Sequence, residues 1–215
     1  MLKTERMDRV RAALRAQGLT QMIVCDPKSV WYLTGVAVEP YERLLSLYLP
    51  TEGEPVLFLN RLFNVPEPPC RTVWHTDTDK PVAQIAEVVD AGKPLGIDKE
   101  WPAKFLIPLM ETHPGMQVVL SSDCVDDCRA CKDAEEQTLM REASRINDAV
   151  NEAAKHYIKA GMTEREVAEF IDAQFRAHGC EGPSFTTIVS FGANAADPHH
   201  EPDDTVLKTR ATACC

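Results

Sequence analysis

Histidines and acidic side chains are concentrated in one short stretch of this sequence, "GANAADPHHEPDD" at residues 192–204. Imidazole nitrogens and carboxylate oxygens are ligands for zinc, manganese and iron, and an imidazole can also act on a substrate directly. The stretch is therefore the first place to look for chemistry. Its candidate groups are Asp197, His199, His200, Glu201, Asp203 and Asp204.

Three interpretations fit these residue types. A self-contained metal site is disfavoured because neighbouring side chains of an extended segment point in alternate directions. A polar surface turn is consistent with the Pro, Asp, Gly and Asn content. In the third interpretation the loop presents one histidine to a site completed elsewhere in the fold, where it hydrogen-bonds a substrate carbonyl or stabilises developing charge. The stretch alone leaves all three open.

The segment before the loop predicts two helices that must position it. Apolar residues recur every three or four positions from Asp133, where a capping box is formed with Glu136, and Gly161 marks the expected end. A second capping box, "TERE" at 163–166, opens another amphipathic helix. The run "FTTIVSFG" at 185–192 then predicts a strand leading into the loop. Residues 133–208 therefore look like the opening of a second domain.

Residues 1–125 alternate between helical and strand patterns, which predicts an α/β sheet domain, with a linker at 126–132. The helical patterns cover residues 4–17, 29–35, 81–92 and 102–113. The strand patterns cover residues 20–26, 44–50, 56–60, 94–98 and 116–122.

The cysteines offer a second candidate for chemistry. Cys124, Cys128 and Cys131 form C-x3-C-x2-C, a spacing that could hold a metal or an iron–sulfur cluster. No second pair of ligands follows at zinc spacing, which favours a helical segment with incidental thiols.

Composition excludes several classes of function. The chain has 215 residues and a net charge of −10, so nucleic acid is not an expected partner. No apolar run approaches the roughly 18 residues that a membrane span needs. The N-terminal sequence is a charged amphipathic helix rather than a signal peptide, which predicts a cytoplasmic location.

Three strings carry a family resemblance: "YLTG" at 32–35, "RACKDAEEQTLMREASRINDAV" at 129–150 and "FTTIVSFGANAADPHHEPDDTVLK" at 185–208. In order and spacing they resemble the Xaa-Pro peptidase (prolidase and aminopeptidase P) group of the M24 pita-bread metallopeptidases. The resemblance implies an α/β (α+β) chain. A creatinase-like mixed-sheet N-terminal domain would precede the first helices and strand of a pita-bread domain.

The resemblance also implies roles for the two histidines. His199 matches the family's loop histidine, which contacts the substrate or the tetrahedral intermediate and is counted as catalytic. His200 is its neighbour and a second candidate for substrate binding. The family's two divalent ions, manganese, cobalt or zinc, are held by two aspartates, a histidine and two glutamates. All five would lie beyond Lys208, so no metal ligand or cofactor is expected within this chain.

The sequence therefore predicts the N-terminal portion of a metal-dependent Xaa-Pro dipeptidase or aminopeptidase, inactive by itself. A frameshift or a truncated reading of the gene after Lys208 would explain the atypical "TRATACC" at 209–215. A proline-containing peptide is the expected substrate of the full-length protein, and a homodimer is possible for this family. The alternatives are a non-enzymatic protein-binding module derived from the pita-bread fold and a fragment of a creatinase-like C–N hydrolase.

Overall fold

A computed structural model describes residues 2–208 and the backbone of residues 213–214. The chain divides into two compact units, Met1–Lys132 and Asp133–Cys215. The domain predicted for residues 1–125 and the linker predicted for 126–132 both fall within the first unit. None of the helices in the described part of the chain combines the length and hydropathy of a bilayer-spanning segment.

The first unit is built on a six-stranded mixed sheet with the order β4-β3-β2-β1-β5-β6. β2 pairs antiparallel with both β1 and β3, whereas the pairs β3–β4, β1–β5 and β5–β6 are parallel. The predicted mixed-sheet α/β architecture is therefore confirmed. The strands are β1 (Gln21–Val24), β2 (Ser46–Pro50), β3 (Val56–Asn60), β4 (Arg71–His75), β5 (Leu95–Ile97) and β6 (Val118–Leu120).

Five helices accompany this sheet. They are α1 (Thr4–Ala16), α2 (Pro27–Thr34), α3 (Pro81–Ala86), α4 (Ala103–Thr112) and α5 (Asp123–Ala130). α2 ends as the sequence predicts, because Gly35 takes the left-handed conformation with φ 76°. α4 continues through Pro108, as expected from its apolar pattern.

The central strands are buried on both faces, so their alternating side chains feed two core layers. Met22 and Leu57 belong to one hydrophobic cluster, which also contains residues of α1, α2 and α5. Ile23 and Phe58 point into the other cluster, together with residues of α3 and α4. Helices therefore cover both faces of the sheet.

Three elements of the first unit differ from the predicted strands, helix ends or domain bounds. β4 has no counterpart among the predicted strands, because Arg71 and Thr72 interrupt its apolar character. α5 runs through residues 126–130 of the predicted linker, and its Cys124 and Val125 are buried in the core. The helix that was predicted for 81–92 ends earlier, at Ala86.

The second unit contains two helices followed by short strands. Both predicted capping boxes are present, Asp133 with Glu136 and Thr163 with Glu166. The strand prediction for residues 185–192 was too long, since only two of these residues pair in a sheet. The elements are α6 (Ala134–Tyr157), α7 (Glu164–Ala177), β7 (Ser190–Phe191), a 3-10 helix (Gly192–Ala196) and β8 (Ala213–Cys214), which pairs antiparallel with β7. Residues 209–212 and 215 of the predicted tail lie outside the described residues.

α6 and α7 pack through the C-terminal part of α6. The rings of Tyr157 and Phe170 are stacked with centroids 3.8 Å apart. Val150 and Ala154 join Val167 in the buried cluster of this unit. The N-terminal half of α6 is different: Leu139 is 65% exposed although it continues the same apolar pattern.

The first unit offers a test of its packing. Phe58 is completely buried on β3, so we expect Phe58→Ala to lower the free energy of unfolding by about 3–5 kcal/mol. Urea unfolding monitored by tryptophan fluorescence measures this loss, since Trp31, Trp74 and Trp101 all lie in this unit. Leu62→Ala is the control, because Leu62 is 68% exposed. Equal losses for the two variants would contradict the two-layer core.

Candidate functional site

The loop that carries the two histidines leaves β7 and returns beside the start of α7. Its returning end is tied to the chain that enters α7 by backbone hydrogen bonds. The Leu207 N–H donates to Met162 O at 2.8 Å, and the Glu164 N–H donates to Thr205 O at 3.2 Å. Both ends of the loop are therefore attached to ordered elements of the second unit.

Glu164, the first residue of α7, is the centre of the site. Its side chain is fully shielded from solvent and accepts four hydrogen bonds. Oε1 accepts from the Phe191 N–H at 2.6 Å and from Asn194 Nδ2 at 3.0 Å. Oε2 accepts from His200 Nε2 at 2.7 Å and from the Asp203 N–H at 3.1 Å. One carboxylate thus binds the beginning, the middle and the end of the loop.

The tautomer of His200 follows from these contacts. Nε2 carries a proton, because it donates to Glu164. Asn194 Nδ2 lies 3.1 Å from the same nitrogen, but both atoms are then donors, so this contact is not a hydrogen bond. The two Asn194 amide protons instead go to Glu164 and to Thr205 Oγ1, at 3.0 Å and 3.2 Å.

The charges of Glu164 and His200 stabilise each other. Burial opposes ionisation of Glu164, but the hydrogen bonds that it accepts outweigh burial and lower its pKa from the usual 4.5. The hydrogen bond to Glu164 raises the pKa of His200 above the usual 6.5. Both shifts favour the ion pair, and its access to water is limited because the side chain of His200 is 17% exposed.

His199 has different surroundings. Its side chain is exposed, and its backbone N–H donates to Asp197 Oδ1 at 2.9 Å, which forms a local turn. The predicted loop carboxylates are also at the surface. Asp204 forms an exposed ion pair with Arg165, and Asp203 Oδ1 accepts the Thr205 N–H at 2.7 Å.

The described residues contain one group of three potential metal ligands, Glu164, His200 and Asp203, with ligand atoms within 4.8 Å of one another. Its donor set does not fit a metal ion. Both oxygens of Glu164 already accept two hydrogen bonds each, and Nε2 of His200 carries a proton. We call the group the clamp at Glu164, because its hydrogen bonds hold the loop in place.

The cysteine motif does not form a comparable cluster. Cys124 is buried, Cys128 is half-buried and Cys131 is exposed. The described residues contain no ligand group built from these three thiols. Burial raises the pKa of Cys124 to about 11, so this thiol stays protonated. The interpretation as a helical segment therefore fits better than the metal site.

Sequence reasoning missed the two residues that organise the loop. Glu164 was seen only as part of the "TERE" capping box, where an acidic residue at a helix N-terminus is ordinary. Asn194 was counted as a turn former. Their partners lie up to 39 residues away, and no local pattern indicates such contacts.

The ion pair predicts a pH dependence of stability. Because the pKa of His200 is raised on folding, its contribution is complete below pH 6.5 and is lost as the pH rises through the raised value. Because the pKa of Glu164 is lowered, its contribution is complete above pH 4.5 and is lost as the pH falls through the lowered value. We expect the stability difference between the wild type and His200→Gln to be greatest between these limits.

Hydrogen exchange of the α7 amides, followed at several pH values, measures this difference in the second unit. His199→Gln is the matched control, since it removes the exposed neighbouring imidazole and should keep the wild-type pH dependence. An unchanged pH dependence in His200→Gln would contradict the ion pair.

Two family models match the chain in sequence order. Residues 6–131 match the Creatinase/Prolidase N-terminal domain, and residues 138–215 match Metallopeptidase family M24. An uncharacterised peptidase of Staphylococcus epidermidis is 27% identical over 203 residues, which are 93% of this chain and 57% of that protein. A peptidase of Staphylococcus aureus is 30% identical over 86% of this chain and 54% of its own length.

Solved structures agree with these matches. Dipeptidase PepE from Mycobacterium ulcerans is similar with a TM-score of 0.85 and 28% identity, over 95% of this chain and 57% of that one. Prolidase from Thermococcus sibiricus is similar with a TM-score of 0.85 and 26% identity, over 97% and 59%. This chain thus spans somewhat more than half the length of the relatives it matches. It belongs to the M24 Xaa-Pro peptidase family, with a creatinase/prolidase N-terminal domain followed by the start of a pita-bread domain.

Proposed function

We propose that this chain is the N-terminal portion of a metal-dependent peptidase that cleaves the bond preceding proline, as an Xaa-Pro dipeptidase or aminopeptidase. The proposal is supported by the prolidase and dipeptidase named among its structural relatives, and by the ordered matches to both family models. The observation that carries it is the His199 loop, which lies within the M24 match and exposes one imidazole on a backbone held at both ends.

In this proposal His199 is the residue that meets the substrate. Its exposed imidazole can donate a hydrogen bond to the carbonyl oxygen of the scissile bond. The same hydrogen bond becomes stronger when negative charge develops on that oxygen in the tetrahedral intermediate. A proline-containing peptide is the substrate that follows from the family.

The divalent ions of this family are proposed to bind outside the described residues. The clamp at Glu164 does not fit a metal, and the resemblance to the family places the five ligands after Lys208. We therefore expect the 215-residue chain to be inactive by itself, and the polypeptide that supplies those ligands to be active.

The decisive experiment joins DNA sequencing to an assay. The coding DNA is resequenced from codon 200 and translated past the stop in all three frames. The 215-residue chain and any longer product are then assayed with manganese on an Xaa-Pro dipeptide. We expect no turnover by the short chain and metal-dependent turnover by a longer product. In that longer product His199→Ala should lower kcat by about 10²-fold, as for loss of one oxyanion-stabilising donor.

Two outcomes would contradict the proposal. Metal-dependent turnover by the pure 215-residue chain would mean that its own residues hold the ions. A gene without a frame that supplies two aspartates, a histidine and two glutamates would favour a non-enzymatic binding module. Glu201→Ala is the control for His199→Ala, since Glu201 is an exposed residue of the same loop.

A further inference from the structure

Two adjacent histidines in the loop have opposite environments, and this difference assigns them different tasks. The side chain of His200 turns inward to Glu164, with 17% exposure and a 2.7 Å hydrogen bond. The side chain of His199 is exposed, and only its backbone is engaged, through Asp197. An imidazole that already donates Nε2–H to a buried carboxylate cannot donate the same proton to a substrate.

We propose that Glu164 and His200 are positioning residues, which hold the loop from Phe191 to Asp203 so that His199 alone is presented to a ligand. The part of this inference that concerns a substrate rests on the proposed function. The part that concerns the loop rests on the four hydrogen bonds of Glu164.

The distribution of donors between the two oxygens is what makes Glu164 suited to this task. Phe191 and Asn194 share Oε1 at the start of the loop, whereas His200 and Asp203 share Oε2 at its end. Glu164 is itself fixed as the first residue of α7, directly after the N-cap residue Thr163. The loop therefore closes on a rigid acceptor, which lowers the entropy that His199 would lose when it engages a ligand.

The substitution Glu164→Gln tests this arrangement sharply. Glutamine has the same shape, but it offers one oxygen and one NH₂ group. Whichever way the amide faces, one pair of donors keeps an oxygen acceptor, the other pair meets the NH₂ group, and His200 loses its charged partner. The loop is therefore held less tightly. Glu169→Gln is the matched control, because Glu169 lies on the same helix and is exposed.

The first readout uses the 215-residue chain and needs no catalysis. Diethyl pyrocarbonate modifies accessible neutral imidazoles, and peptide mass mapping gives the rate at each histidine. In the wild type and in Glu169→Gln, we expect His199 to react faster than His200. In Glu164→Gln, His200 loses its charged partner whichever way the amide faces, so the rate at His200 should rise about tenfold, the change expected on loss of a hydrogen bond between charged groups. Circular dichroism at the same temperature verifies that the helices remain folded.

The second readout separates positioning from a general structural role. In the active longer product we combine Glu164→Gln with His199→Ala and measure kcat and KM. If Glu164 acts through His199, Glu164→Gln lowers kcat in the wild-type background and has little further effect when His199 is already absent. If Glu164 only supports the fold, it lowers activity by the same factor in both backgrounds.

These outcomes distinguish the two proposals. Equal reactivity of His199 and His200 in the wild type, or equal loss of activity in both backgrounds, would overturn the positioning role. An active enzyme in which His199→Ala leaves kcat unchanged would instead contradict the substrate role of His199, while the reactivity measurement still decides whether Glu164 holds the loop. If no active longer product exists, the reactivity measurement decides the positioning role alone.

Discussion

A carboxylate that is completely shielded from water must be supplied with hydrogen-bond donors, because an ionised group loses its hydration on burial. Glu164 receives four donors, all from one loop. Removing any segment of that loop would leave the charge unsatisfied. The loop and Glu164 therefore depend on each other. The loop supplies the hydrogen bonds that replace water around the carboxylate, and the carboxylate determines the course of the loop.

The first unit uses a related arrangement with a different electrostatic result. Asp98, at the end of β5, accepts the backbone N–H groups of Cys25, Asp26 and Glu100. Burial raises the pKa of Asp98, and the charge of Asp26 acts in the same direction. Glu164 is the opposite case: the hydrogen bond from the Phe191 N–H, followed by the one from His200, outweighs burial and lowers its pKa. Three backbone donors fix a chain segment at Asp98, whereas backbone and side-chain donors together also keep Glu164 ionised.

Much of the fold could be predicted because local patterns report local packing. Met7, Val10 and Leu14 repeat at helical spacing, and all three are buried on one face of α1. The two capping boxes are equally local signals. β4 escaped prediction because its burial is set by pairing with β3, not by its own composition. The end of α6 was placed too late because the apolar pattern continues to Gly161, whereas the helix ends at Tyr157.

The sequence was sufficient to locate the candidate site but not to assign a role to each of its residues. Residue types were sufficient to single out the loop, and the resemblance to a family was sufficient to single out His199. Neither could say what His200 does, since adjacent imidazoles are chemically identical until one of them finds a partner. That partner, Glu164, lies 36 residues earlier in the chain and looks like any acidic residue in the first turn of a helix.

A buried acceptor can therefore assign different tasks to two identical neighbours. His199 lies in the turn that begins at Asp197, and the hydrogen bond that holds His200 against Glu164 leaves His199 exposed. The inward histidine contributes an ion pair, and the outward one keeps its imidazole free for a ligand. A doubled histidine in such a loop need not mean two catalytic groups or two metal ligands. The second imidazole can be the means by which the first is held in place.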